Sequence, residues 1–125
     1  MMRARNIIDS FHFAIKGLVY VLKTQRNMRM HFIVALGVLL LSSLLGVHRA
    51  ELTMLLFAIS LVITLEIVNT AIETLVDILS PGYHHLAEIT KNVAAAAVLV
   101  SALNAVAVGY LILGARIFSF ISRLI

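Results

Sequence analysis

Apolar residues run along this chain in long, nearly unbroken stretches, not in the short alternations of a soluble domain. Residues 32–47 form an uncharged stretch built mainly of Leu, Val, Ile, Ala and Gly. It is slightly short of the ~20 residues that carry a helix across hydrocarbon, so it spans with its flanks or a thinned bilayer. A second stretch begins at Leu52, continues as a helix through Glu66, Asn69, Glu73 and Asp77, and stops at Ser80-Pro81-Gly82, where proline removes a donor. The longest, 93–115, is interrupted only by Ser101 and Asn104.

Ahead of these, Ile7, Ile8, Phe11, Ile15, Leu18, Val19 and Leu22 recur at helical spacing, with Asp9, His12, Lys16 and Lys23 elsewhere on the helix. This predicts an amphipathic helix lying on a membrane surface. A soluble helix is the weaker alternative, because no soluble core exists for its apolar face to cover. The pattern predicts an all-α integral membrane protein of one domain, 1–125, with helices over 6–25, 31–47, 52–79 and 92–115.

Composition agrees: 62% of residues are hydrophobic, with a mean hydropathy of +1.05, beyond an ordinary soluble domain. The absence of cysteine excludes disulfides, thiolate metal sites and thiol chemistry. The first ten residues lack the apolar core of a removable signal peptide. A formal charge of +4 without a basic, aromatic-laced face points to lipid headgroups and away from nucleic acid. Three short spans enclose little volume, so a homo-oligomer is expected.

Arg3, Arg5, Lys16, Lys23, Arg26 and Arg29 precede the first span, and only Arg49 lies between the first and second. Positive residues stay inside, so the N-terminus, the acidic end of the second span and Lys91 are expected on the cytoplasmic side of a bacterial inner membrane, and the tail from Arg116 outside.

Of six acidic residues, Glu66, Glu73 and Asp77 fall in one stretch of a membrane-embedded helix, where carboxylates are costly. At about 100° per residue they share with Asn69 a stripe roughly 80° wide. Such a stripe offers hard oxygens suited to Mg²⁺ and a candidate general base. Two other readings stay open: pairing with Lys91, Arg26 or Arg29 to hold the bundle, and ion-coupled transport.

Histidines 84 and 85 read as a solvated loop, and His12, His31 and His48 as interfacial side chains. Alanines 94–97 allow close helix approach, or leave room for a lipid chain. Mid-span Asn104 suits a hydrogen bond to another helix, and Met28 and Met30 adaptable packing.

The segment Glu66-Ile67-Val68-Asn69-Thr70-Ala71-Ile72-Glu73-Thr74-Leu75-Val76-Asp77 resembles the signature of the bacterial diacylglycerol kinase and undecaprenol kinase family. Ser10-Phe11, Ala14, Gly17-Leu18, Arg26-Asn27, Tyr83-His84 and Lys91 follow in the family's order and spacing, so the likeness covers nearly the whole chain. It implies a homotrimeric helical bundle, each subunit with a surface helix and three transmembrane helices. It also implies MgATP-dependent phosphorylation of a membrane lipid alcohol at sites between subunits near the cytoplasmic boundary. Glu66 would be the base at the lipid hydroxyl, Asn69 an organiser, Glu73 a metal ligand at the nucleotide, and Asp77 part of the acidic wall. Tyr83, His84, Lys91 and Asn92 would line the nucleotide site, with Ser10 and Ala14 supporting.

Two positions depart from the family's pattern. Gln25 stands where the family normally has a glutamate that shares the magnesium, and Asn92 where it usually has an aspartate. Both amides keep shape and lose charge. The resemblance thus allows either a working kinase or an impaired homologue that binds lipid or nucleotide. Thr24 and Arg26-Asn27-Met28 lean towards the undecaprenol branch.

Overall fold

The computed structural model describes residues 6–123 and contains α1 (Ile7–Thr24), α2 (Arg26–Leu44), α3 (Arg49–Leu79) and α4 (His85–Ile121). Arg3 and Arg5, counted above for orientation, lie outside the described residues. The last three helices are long and apolar enough to cross a membrane. At 37 residues α4 extends about 55 Å, well beyond a ~30 Å hydrocarbon layer, so its ends stand in the interfaces.

Each helix begins and ends on local chemistry. Asn6 caps α1 by accepting from the Asp9 N–H at 2.8 Å, satisfying a donor that has no intrahelical partner. Gln25 closes α1 in an extended conformation (φ −99°, ψ 117°), making a sharp elbow into α2. The α2 terminus returns Val47 N–H to Ser42 O and Gly46 N–H to Ser43 O, with Gly46 at φ 62°. That is the left-handed C-terminal cap glycine adopts without strain, and it turns the chain back into α3 within four residues, 45–48.

Helices α3 and α4 pack most extensively, α2 lies on α3, and α1 meets α2 and α3 more sparsely. The tightest cluster, Leu55, Ile112 and Leu113 with Val38, Leu41, Leu45, Val47 and Val108, sits at the α2–α3 turn. The N-terminal half of α1 keeps Ile7, Ile8, Phe11 and Ile15 exposed, as the surface-helix reading requires.

Helix limits differ from the expected ones. Helix α2 starts at Arg26, not 31, and α3 at Arg49, not 52; α4 occupies His85–Ile121, not 92–115. Hydropathy marks the part of a helix that sits in lipid, whereas caps and turns set its ends. Histidines 84 and 85 are both exposed; His84 ends the connection in an extended conformation as the cap of α4, whereas His85 is not in the loop but is the first residue of the helix. Of alanines 94–97 only Ala94 is buried; Ala96 and Ala97 line an open groove beside Leu61, Leu65 and Asn104.

Candidate active site

Burial falls steadily along the acidic stripe of α3. Glu66 is 2% exposed and Asn69 8%, Glu73 is half-buried, and Asp77 is exposed. The stripe thus leads from the packed interior to the α3–α4 corner. Among the described residues neither Glu66 nor Glu73 forms an ion pair. A carboxylate buried without a cation is costly, so the bundle-holding alternative does not explain these two.

Arg29, one candidate partner, instead donates through one guanidinium nitrogen to Leu22 O and Lys23 O, both at 3.1 Å. It thereby satisfies the open carbonyls at the end of α1 and clamps the elbow. Of the three acids in the stripe, Asp77 alone pairs with a cation among the described residues, Lys91 Nζ lying 2.5 Å from its Oδ1. That pair is well exposed, so it is worth little and exchanges easily.

Asn69 organises the middle of the stripe. Its Nδ2 donates to Glu73 Oε1 at 3.0 Å, while its Oδ1 is buried with no hydrogen-bond partner. An orphaned buried acceptor is uncommon and suits a donor or cation supplied by a bound group. Thr70, buried beside it and not singled out from sequence, spends its hydroxyl on Glu66 O at 2.9 Å. Thr70 lies only about 40° from Glu66 around the helix, which was a usable signal.

His31, read as interfacial, interacts electrostatically with Glu66. It also closes one end of an apolar groove of about 380 Å³ between α2, α3 and α4, walled by residues such as Val34, Val62 and Val106. No spacing within one helix links His31 to Glu66, because they meet only through the α2–α3 packing.

At the α3–α4 corner an open polar pocket of about 440 Å³ gathers Asp77, Pro81, Tyr83, His84, Glu88 and Lys91. Tyr83 donates its hydroxyl to Glu88 Oε2 at 3.1 Å. His84 Nδ1 accepts the Leu86 N–H at 3.2 Å, which leaves Nε2 of the neutral ring as a donor. Glu88 was not anticipated; its signal was an acid in the first turn of a helix that Tyr83 precedes.

The remaining sites are less convergent. Gln25 is half-buried at the elbow, its amide donating to Thr24 Oγ1 at 3.5 Å, beside fully buried Met28. Asn92 is exposed and outside the corner pocket, and Ser10 and Ala14 stay on the exposed part of α1. Among the described residues no three His, Cys, Asp or Glu side chains converge on one point. Mg²⁺ usually needs no such cluster, taking one or two carboxylates and filling other positions with water and phosphate.

Residues 12–113 match the family model for prokaryotic diacylglycerol kinase. The chain belongs to that family. A diacylglycerol kinase of Synechocystis sp. is 41% identical over 107 residues, 85% of this chain and 61% of that protein, so the match spans under two thirds of its length. An undecaprenol kinase of Bacillus subtilis is 35% identical over 103 residues, 82% of this chain and 84% of that protein. A diacylglycerol kinase of Escherichia coli is 30% identical over 100 residues, 80% and 82% respectively. The resemblance read from the 66–77 segment is borne out at the level of the family.

Proposed function

We propose that this member of the diacylglycerol kinase family transfers the γ-phosphoryl group of ATP to the hydroxyl of a membrane lipid alcohol, undecaprenol or diacylglycerol. The observation that carries the reading is Glu66: a carboxylate buried in an apolar bundle without a cation, at the inner end of a stripe that opens on a polar corner pocket.

In this reading the lipid hydroxyl enters laterally and Glu66 takes its proton. The oxygen attacks the γ-phosphorus in line, the bond to the bridging oxygen breaks, and ADP leaves. Positioning and charge neutralisation supply most of the rate in such transfers. Glu73 would hold Mg²⁺, with the free Oδ1 of Asn69 and the side-chain oxygen of Gln25 as neutral neighbours. When bound, the ion offsets phosphate charge. Lys91 exchanges Asp77 for a phosphate oxygen, and Tyr83 and His84 border the nucleotide.

The basic residues ahead of the first span favour an inner-membrane protein with this site on the cytoplasmic side, where ATP is available. An unpartnered Asn104 exposed in mid-span beside an open groove supports packing against further copies, as in a homotrimer.

A second reading, an impaired homologue that binds lipid or nucleotide, draws on Gln25 and Asn92. One assay addresses both. Purified protein with ATP, Mg²⁺ and a panel of lipid alcohols yields phosphorylated lipid, and Glu66→Gln abolishes it. No product with any lipid alcohol overturns the kinase reading. Turnover equal to that of the Gln25→Glu/Asn92→Asp double variant overturns impairment.

A further inference from the structure

At the end of the bundle opposite the acidic stripe, the last turns of α4 and the α2–α3 turn enclose a second polar pocket of about 470 Å³. Leu44, Gly46, Arg116, Ser119, Phe120 and Arg123 wall it. Arg116 is already committed. One of its guanidinium nitrogens donates to Leu45 O at 3.4 Å and Gly46 O at 3.0 Å, and the other pairs with Glu51 at 2.5 Å. Glu51 also accepts the His48 N–H at 3.0 Å, and on the same oxygen, Oε2, that meets Arg116.

Arg123 differs. Among the described residues its guanidinium has no hydrogen bond or ion pair, and the Ser119 hydroxyl in the same pocket is likewise free. Among the side chains of the described residues the charge balance at this end is uneven: Arg49, Arg116 and Arg123 stand against Glu51, an excess of two positive charges. The walls beside the free guanidinium are apolar and open, with Leu44 82% and Phe120 54% exposed. These residues lie where the apolar stretch of α4 ends, at a membrane–water boundary. Arg116, Ser119, Phe120 and Arg123 fall beyond the residues that match the family model, 12–113.

We propose that this pocket binds the phosphate of an anionic phospholipid headgroup in the leaflet opposite the acidic stripe. The Arg123 guanidinium and the Ser119 hydroxyl donate to phosphate oxygens in the geometry arginine favours. Leu44 and Phe120 lie along the first carbons of the acyl chains. Free phosphate shares the headgroup's charge but gains nothing from those apolar walls, so the lipid is the favoured source. Arg116, held by Glu51, shapes the pocket and adds little net charge to it.

The test uses the full chain in phosphatidylcholine nanodiscs doped with phosphatidylglycerol, with the phosphatidylglycerol retained on the protein read by native mass spectrometry. The unmodified protein retains it preferentially, and Arg123→Ala lowers that preference by roughly ten-fold or more, the loss of a charge-assisted hydrogen bond to phosphate and more than the general attraction of one basic side chain to an anionic surface. Ser119→Leu, which fills the pocket without altering charge, lowers it too. Arg49→Ala removes a charge from the same end but outside the pocket and lowers the preference far less than Arg123→Ala. Millimolar inorganic phosphate does not displace the lipid. An unchanged preference in Arg123→Ala overturns the proposal, as does an equal loss in Arg49→Ala, which marks bulk surface charge. Displacement by inorganic phosphate identifies a free-anion site and overturns the lipid assignment.

Discussion

Asn69 and Glu73, one helical turn apart on α3, are joined by a 3.0 Å hydrogen bond from the amide nitrogen to the carboxylate. The bond fixes which way the amide faces, and so which of its atoms is left over. The leftover atom is an oxygen, buried and unpartnered. Truncating Asn69 removes both the orientation of Glu73 and this free acceptor.

Asn69→Ala is therefore expected to lower lipid phosphorylation and the apparent affinity for Mg²⁺ by roughly 10–100-fold, the usual cost of losing a group that orients a metal ligand. Titrating Mg²⁺ in the lipid assay measures it. Partial recovery at high Mg²⁺ is the expected signature, and unchanged Mg²⁺ dependence removes Asn69 from the metal's surroundings.

Most of this architecture was legible from the residues, for a physical reason. Lipid tolerates only segments whose backbone groups are satisfied internally and whose side chains are apolar, so three spanning helices announce themselves. The stripe was legible because helical periodicity carries Glu66, Asn69, Glu73 and Asp77 to one face. Other features depend on contacts between distant segments. His31 meets Glu66 only through the packing of α2 on α3, and Arg29 clamps the end of α1 through two backbone carbonyls. The capping role of His84 was not legible, because a cap depends on backbone conformation and histidine is not among the usual capping residues.

Lys91 and Asp77 bridge α3 and α4 across the corner pocket while remaining largely in water. Because such a pair contributes at most about 1 kcal/mol, Lys91→Met should change thermal stability little. Its effect should fall on nucleotide binding, raising the KM for ATP by at least ten-fold, about 1.4 kcal/mol of lost phosphate attraction. Asp77→Asn should raise it far less. Paired melting curves and ATP titrations separate the two effects, and a collapse of stability in Lys91→Met would assign the lysine to the bundle.

The elbow between α1 and α2 rests on the Arg29 guanidinium. A lysine carries the same charge on a shorter stem, and its ammonium lacks the planar, rigidly oriented N–H donors with which one guanidinium nitrogen meets both carbonyls. Arg29→Lys is thus expected to weaken the elbow and displace Gln25, lowering phosphorylation several-fold with the transmembrane helices intact. Faster amide exchange at residues 22–28 in the variant, with no change in α4, is the structural readout. Equal exchange in both proteins contradicts the clamp.

At the opposite turn, Gly46 holds φ 62°, and a Cβ there would meet no atom within 4 Å. The cost of Gly46→Ala is therefore conformational and not steric, about 1 kcal/mol. Gly46→Asn should cost less, since asparagine visits the left-handed region more readily. Unfolding in mixed micelles distinguishes the two, and an alanine variant as stable as the parent would show that the turn takes up another conformation.

Gln25 tests whether charge alone separates this chain from its family's pattern. Its backbone at φ −99° and ψ 117° is open to any side chain. The one bond its amide donates, to Thr24 Oγ1, is long at 3.5 Å, so Gln25→Glu should leave the fold and melting temperature nearly unchanged. The new carboxylate would stand half-buried at the elbow and supply the negative charge that an amide oxygen lacks towards a hard cation. The expected outcome is a fall of roughly ten-fold or more in the Mg²⁺ concentration needed for half-maximal lipid phosphorylation, with a smaller rise at saturating Mg²⁺. A magnesium titration of the two proteins, made under identical lipid and ATP, decides it. If the curves coincide, Gln25 does not approach the metal, and the elbow's contribution to the site is one of shape.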